Sequence, residues 1–174
     1  QRLGSPNSKG AGSPEVDLLG ISYFTTLIEL KTSKTKIFKP KKSSKSRANT
    51  WDFTNDFIEA YSQILSQRTE TSEAKKYEDE NGVIIDTNKH RILDPKAVLV
   101  IGNRNEEFPH VRKTEYDLKT DCFERIRRDS RNIEILTYDE LFERAFHVVF
   151  LEKLPEDWYN ISPEEFKRDV LKVD

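Results

Sequence analysis

"PEVDLLGISYFTTLIELKTS", residues 14 to 33, holds charged side chains in a stretch that otherwise reads as a buried β-hairpin. Leu, Ile, Phe and Thr dominate it; residues 15 to 21 and 25 to 32 each suit a strand, and "SYF" suits a three-residue connection. Side chains alternate along a strand, so Leu27, Glu29 and Lys31 share one face while Ile28 and Leu30 share the other. With that connection the numbers of paired residues sum to 46, which predicts Leu19 opposite Leu27 and Asp17 opposite Glu29. Cβ atoms of directly opposed residues lie about 5 Å apart. Two carboxylates so placed repel unless a cation compensates them. Oxygen ligands at that spacing suit a hard divalent ion, Mg2+ with several retained waters, or Mn2+ in its stead. Lys31 lies two positions from Glu29 on the same face, placed to orient a water or to stabilise charge developing on a phosphate. The plainer reading is an exposed hairpin face with an ordinary Glu-Lys pair. An acid twelve residues upstream and a basic segment directly downstream tip the balance toward a metal site.

That basic segment, "KTSKTKIFKPKKSSKSR" from Lys31 to Arg47, carries eight positive residues and no acid. It leaves 21 of the 29 basic residues to face 31 acidic ones, so the near-neutral total hides a basic arm on an acidic body. Lys34, Lys36, Lys39, Lys41, Lys42, Lys45 and Arg47 are the expected phosphate contacts, which give affinity without reading base sequence. The Lys/Ser/Pro composition predicts a mobile loop; a solvated, disordered loop with no partner is the other reading of such a run.

A chain of 174 residues, 35% hydrophobic and 34% charged, suits one α/β domain with a modest core. After the arm, a helix is expected from Trp51 to Glu78, capped by Asn49 or Thr50, with Phe53, Phe57, Ala60, Tyr61, Ile64 and Leu65 as its apolar stripe. "VIID" at 83 to 86 and "AVLVIG" at 97 to 102 read as strands, the second as a buried central one. A helix follows around Tyr116 to Arg128, then a strand in "NIEIL" at 132 to 136. "TYDELFERAFHVVF" opens with Thr137 and Glu140 in capping-box spacing before a helical pattern. Residues 1–13 are expected to be a flexible segment, 14–150 the main domain, and 151–174 an extension with a short helix whose capping signature is Ser162 to Glu165. No apolar run approaches the length needed to cross a bilayer, and "QRLGSPNSKGAGS" lacks the apolar region of a secretory signal, so a cytoplasmic location is expected.

Other chemistries find little support. Cys122 is the single cysteine and recurs with Leu118 and Ile126 at helical spacing, which predicts a packed, inert thiol. His90, His110 and His147 lack ligand spacing, and His147 is expected at a core edge. Gly102 ends "AVLVIG" without a phosphate-loop pattern.

"PEVD" followed by "IELK" resembles the PD-(D/E)xK signature of restriction-endonuclease-like nucleases. "IELK", "VLVIGN" after "ILDPKA", and "IEILTYDELFERA" together resemble the Shedu family of anti-phage nucleases, over the span from Pro14 to Val149. The resemblance implies a restriction-endonuclease-like mixed sheet flanked by helices, metal bound by Asp17 and Glu29, and catalysis assisted by Lys31. It further implies Mg2+-dependent cleavage of double-stranded DNA in phage defence, and assembly as a homo-oligomer. The family pattern places a glutamine on the helix after the hairpin; Gln63 is the better match, and Gln67, one turn on, is expected on the helix surface. Two departures stand out: Glu15 and Val16 separate the signature proline from Asp17, and nothing before Pro14 reads as the helix that supplies a further acid in related nucleases. The second leaves open missing residues, an incomplete site, or a catalytically inactive restriction-like module for nucleic-acid binding or assembly.

Overall fold

The computed structural model describes residues 2–3, 18–21, 25–42, 49–73, 76–78, 84–86, 94–109, 112–151, 154–155 and 158–171. Two compact units divide the chain, Gln1–Tyr138 and Asp139–Asp174.

In the first unit a four-stranded sheet combines β2 (Leu18–Ile21), β3 (Thr25–Leu30), β6 (Lys96–Val100) and β7 (Ile133–Leu136), in that spatial order. β2 runs antiparallel to β3, whereas β3, β6 and β7 are mutually parallel, which makes a mixed α/β sheet. Leu18 pairs with Ile28 and Leu19 with Leu27, the register expected from the short connection. Parallel neighbours need crossovers, and helices supply them. α1 (Asn55–Glu73) lies between β3 and β6 in sequence and packs on both; α2 (Arg104–Glu107) and α3 (Lys113–Asp129) lie between β6 and β7. β6 is the central strand and buries Ala97, Leu99 and Val100, which explains its continuous apolar run. A smaller sheet orders β1 (Arg2–Leu3), β4 (Lys76–Glu78) and β5 (Ile84–Asp86), all antiparallel.

Sequence expectations change at the long helix and in the basic arm. The long helix ends at Glu73, and residues 76–78 form a strand, because their backbone pairs with β5 on one side and β1 on the other. Its cap is Thr54, whose Oγ1 accepts the Phe57 N–H at 3.1 Å, in place of Asn49 or Thr50. Residues 51–53 are instead drawn out by an antiparallel bridge between Phe38 and Phe53. That bridge also corrects the picture of the basic arm as a mobile loop over its first half. Ile37 and Phe38 are core residues, and Phe38 stacks on Phe53, which stacks on Phe57. Ile37 and Phe38 help to fix the segment because the core has a place for both.

The backbone after β3 is also stitched to the end of β6. Lys31 N–H donates to Val100 O at 2.9 Å, and Gly102 N–H donates to Thr32 O at 3.2 Å. Gly102 has φ +69°, and a Cβ there would lie 3.0 Å from Thr35 O and 3.1 Å from the Ile37 side chain, so only glycine fits both the backbone and the space.

Cys122 is buried as expected and accepts a hydrogen bond from Trp51 N–H at 3.3 Å. One turn earlier, buried Lys119 pairs with Glu115 at 2.9 Å and sits over the rings of Trp51 and Phe38, so the cation is held on several sides. The Lys119 hydrogen bond holds the Glu115 carboxyl below the usual carboxylate range.

In the second unit, α4 (Tyr138–Phe150) presents Phe142 and Phe146 to Phe166, and Phe142 also to Trp158. A 3-10 turn (Trp158–Asn160), α5 (Pro163–Glu165) and a π turn (Phe166–Val170) complete it. The capping box is formed: Glu165 accepts the Ser162 N–H at 3.1 Å, and Ser162 Oγ accepts the Glu165 N–H at 3.2 Å. His147 is exposed rather than at a core edge, because the helix turns Phe146 inward. His90 and His110 lie outside the described residues. No helix among the described residues is long and apolar enough to cross a membrane.

Candidate active site

Alternation along β3 sends Thr25, Leu27 and Glu29 to the face covered by α1, and all three are buried. On α1 the sequence buries Phe57, Ala60, Ile64, Gln67 and Thr71, spaced three and four apart, so the inward stripe continues past its last apolar residue into two polar ones. Glu29 on the strand and Gln67 on the helix therefore meet. Glu29 is 2% exposed and Gln67 is 1% exposed.

A buried carboxylate requires partners, and Glu29 has one for each oxygen. Lys31 Nζ donates to Oε1 at 2.7 Å, and Gln67 Nε2 donates to Oε2 at 3.0 Å. Lys31 Nζ donates in addition to Gln63 Oε1 at 3.2 Å. The ammonium thus bridges the strand's carboxylate and the helix's amide, at the rim where Gln63 is exposed and Lys31 partly so. At about 100° per residue, Gln63 and Gln67 lie 40° apart, which puts one at the rim and the other beneath it.

Glu29, Lys31 and Gln63, chosen from sequence, are brought into one cluster. Asp17 lies outside the described residues, as do Lys45 and Arg47. Gln67 was missed as a partner because it sits at the edge of the apolar stripe, where a polar residue ordinarily faces water. The signal available was its four-residue spacing from Gln63 on the flank that faces the strand's acid. Of the arm, Lys34, Lys39 and Lys41 are exposed. Lys36 is turned to another use: its Nζ lies 2.5 Å from Glu106 Oε2 and 3.6 Å from Glu107 Oε1, and the Glu106 hydrogen bond raises its pKa. Glu107 is buried and its Oε2 accepts the Phe38 N–H at 2.9 Å, so these acids tie down the arm where it leaves the strand.

Among the described residues no group of three or more His, Cys, Asp or Glu side chains converges as a metal cage. Mg2+ does not need one; it commonly binds through one or two carboxylates and keeps several waters. Glu29, a single carboxylate lying beneath the rim that Lys31 and Gln63 form, fits that manner of binding. A separate groove of about 710 Å³, walled by Trp51, Phe53, Tyr61 and Ile126, contains none of the four cluster residues.

Comparison with known proteins bears on this cluster. The chain is 27% identical over 159 residues to Shedu protein SduA of Bacillus cereus (strain B4264), a match covering 82% of this chain and 36% of that protein. The chain therefore spans little more than a third of the length of this curated relative. The sequence profile described as "Shedu protein SduA, C-terminal" matches residues 10–142, a span that takes in the hairpin, both glutamines of α1 and the parallel sheet. The chain belongs to the Shedu SduA C-terminal family.

Proposed function

We propose that this chain is the nuclease part of an anti-phage defence protein, with a restriction-endonuclease-like fold and divalent-metal-dependent hydrolysis of DNA phosphodiesters. The observation that carries the reading is the Glu29 carboxylate, buried on the α1 face of β3 and held by Lys31 at 2.7 Å and Gln67 at 3.0 Å. Family membership and a mixed sheet with one antiparallel hairpin strand support it.

The last described pair of β2 and β3 is Leu18 with Ile28; one more residue of that register would oppose Asp17 to Glu29, and these two carboxylates are the proposed holders of Mg2+ or Mn2+. The bound ion supplies Lewis-acid polarisation of the phosphate and stabilisation of the leaving oxygen. Glu29 is oriented by Gln67 and cannot swing toward solvent. Lys31 orients the attacking water and offsets charge growing on the phosphate, while Gln63 fixes the direction of its ammonium. Specificity for base sequence is not part of this reading, because the exposed lysines contact phosphate alone.

Plasmid cleavage in Mg2+ or Mn2+ tests the reading. Wild-type protein is expected to cut, EDTA to stop it, and Glu29→Ala to remove activity. Equal cleavage by the variant would remove Glu29 from the chemistry, and no cleavage by the wild type would favour an inactive DNA-binding or assembly module.

DNA affinity gives a second expectation. Replacing Lys39, Lys41, Lys42 and Lys45 with Gln should weaken binding and reduce the slope of log affinity against log salt by as much as about 3.6, since each lost phosphate contact removes about 0.9. Melting should change little, because Lys39 and Lys41 are exposed and Lys39 uses its backbone oxygen, not its ammonium, to accept from Trp51. An unchanged slope would make the arm a solvated connection.

A further inference from the structure

Lys31 has two seats. Its ammonium lies 2.7 Å from Glu29 Oε1 and 3.2 Å from Gln63 Oε1, so it spans an anionic acceptor that is buried and a neutral acceptor that is exposed. The other oxygen of Glu29 is held independently by Gln67, which keeps the carboxylate in place whatever Lys31 does. Among the described residues, Oε1 is the oxygen that carries the cation, and Lys31 links strand and helix at the rim. A carboxylate this buried needs a positive partner, and Lys31 serves as one.

We infer that Lys31 and a divalent cation exchange at Glu29, with Gln63 as the seat that holds the lysine after the exchange. This rests on the reading of Glu29 as a metal ligand and adds to it a role for each neighbour. Two like charges cannot share one carboxylate oxygen at hydrogen-bond range without strong repulsion, so binding of the ion drives Lys31 off Oε1. The ammonium does not have to return fully to water, because Gln63 Oε1 already accepts from it. Rotation about the outer bonds of the lysine side chain accomplishes the shift, and no backbone movement is required. Lys31 thereby keeps Glu29 neutralised when no metal is present and is retained at the rim by Gln63 when metal is bound. Gln63 is a positioning residue in this arrangement, acting on the lysine and not on the ion.

The exchange makes opposite predictions for two neighbouring side chains. Lys31→Gln removes the competing cation while leaving a hydrogen-bond donor for Glu29, and is expected to tighten metal binding about tenfold. Gln63→Leu removes the second seat, so displacing the lysine becomes harder, and is expected to weaken metal binding about threefold to tenfold. In the double variant the Gln63 change should have no effect, because no lysine remains to be seated; such coupling is what a double-mutant cycle measures. Mn2+ is the probe, titrated into the DNA-free protein with unbound Mn2+ counted by its electron paramagnetic resonance signal. Melting curves in EDTA establish that each variant is folded, and Gln63→Glu, which retains an acceptor, should restore or exceed wild-type affinity.

Glu29→Gln separates the two levels of the reading. If it leaves Mn2+ affinity unchanged, Glu29 holds no metal and the exchange falls with it. If it abolishes binding while Lys31→Gln fails to tighten it, Glu29 is a ligand but the exchange is wrong. If Gln63→Leu weakens binding equally with Lys31 present or replaced, Gln63 acts on the ion or the fold directly, and its role as a seat for the lysine is overturned.

Discussion

Asp17→Asn is expected to lower metal-dependent cleavage at least about a hundredfold, since it removes a proposed ligand charge, while leaving the melting temperature unchanged or slightly raised. Both halves of the result matter. In the proposed pairing the Asp17 carboxylate repels Glu29 before metal binds, and replacing it by an amide of the same shape relieves that repulsion. The relief is small, because Lys31 already compensates Glu29 and Gln67 holds its second oxygen. Parallel melting and plasmid-cleavage measurements check it. A variant that melts far below the wild type would give Asp17 a structural role, and one that cuts at the wild-type rate would leave the metal to be held without it. A gain of stability on adding Mn2+, present in the wild type and reduced in Asp17→Asn, would support the placement by linkage independent of catalysis.

The hairpin, and the placing of Glu29 beside Lys31 on one of its faces, were legible because strands have a period of two. Once the connection between β2 and β3 is three residues long, the register follows, and Glu29 and Lys31 must share the face that also carries Leu27. Which face is buried was not legible, since Ile28 and Leu30 on the other are apolar too; the structure buries Leu27 and Glu29 and leaves Leu30 exposed. The central position of β6 was legible for a related reason: residues 97–101 are apolar at every position, which suits a strand covered on both sides. What sequence could not show were polar residues whose burial depends on contacts distant in the chain. Gln67 lies 38 residues from the carboxylate it serves, and Glu107 lies 69 residues from the Phe38 N–H it accepts. In "GNRNEE" Glu107 looks like one more surface acid, and nothing local sets it apart from Glu106, which is indeed exposed. The cap of α1 was misplaced for the same reason. Asn49 and Thr50 are good capping residues, but the long-range bridge between Phe38 and Phe53 keeps the chain extended until Thr54.

Glu107→Ala is expected to destabilise the protein by about 3 kcal/mol, which for a domain of this size lowers the melting temperature by about 10 °C. The cost comes from what is left behind. The Phe38 N–H loses its acceptor in a place that water does not reach, since Phe38 is 2% exposed and Glu107 is 3% exposed. Loss of a charged acceptor to a buried donor lies at the upper end of single hydrogen-bond effects. Lys36→Met supplies the contrast. It removes the ammonium from both Glu106 and Glu107, yet Lys36 and Glu106 are about half exposed, so the ion pair is screened and the change should not exceed about 1 kcal/mol. Glu107→Gln retains an oxygen that can accept from Phe38 and should fall between the two. Thermal and urea unfolding of the three variants measure this order, and a loss from Lys36→Met equal to that from Glu107→Ala would assign the stabilisation to the ion pair instead of the buried N–H. The consequence reaches the site, because Phe38 anchors the segment that begins at Lys31. With that hydrogen bond lost, the backbone from Lys31 to Phe38 keeps its bonds to Val100, Gly102 and Thr54 but is held less firmly, and Glu107→Ala protein should lose cleavage activity at temperatures below its own melting point.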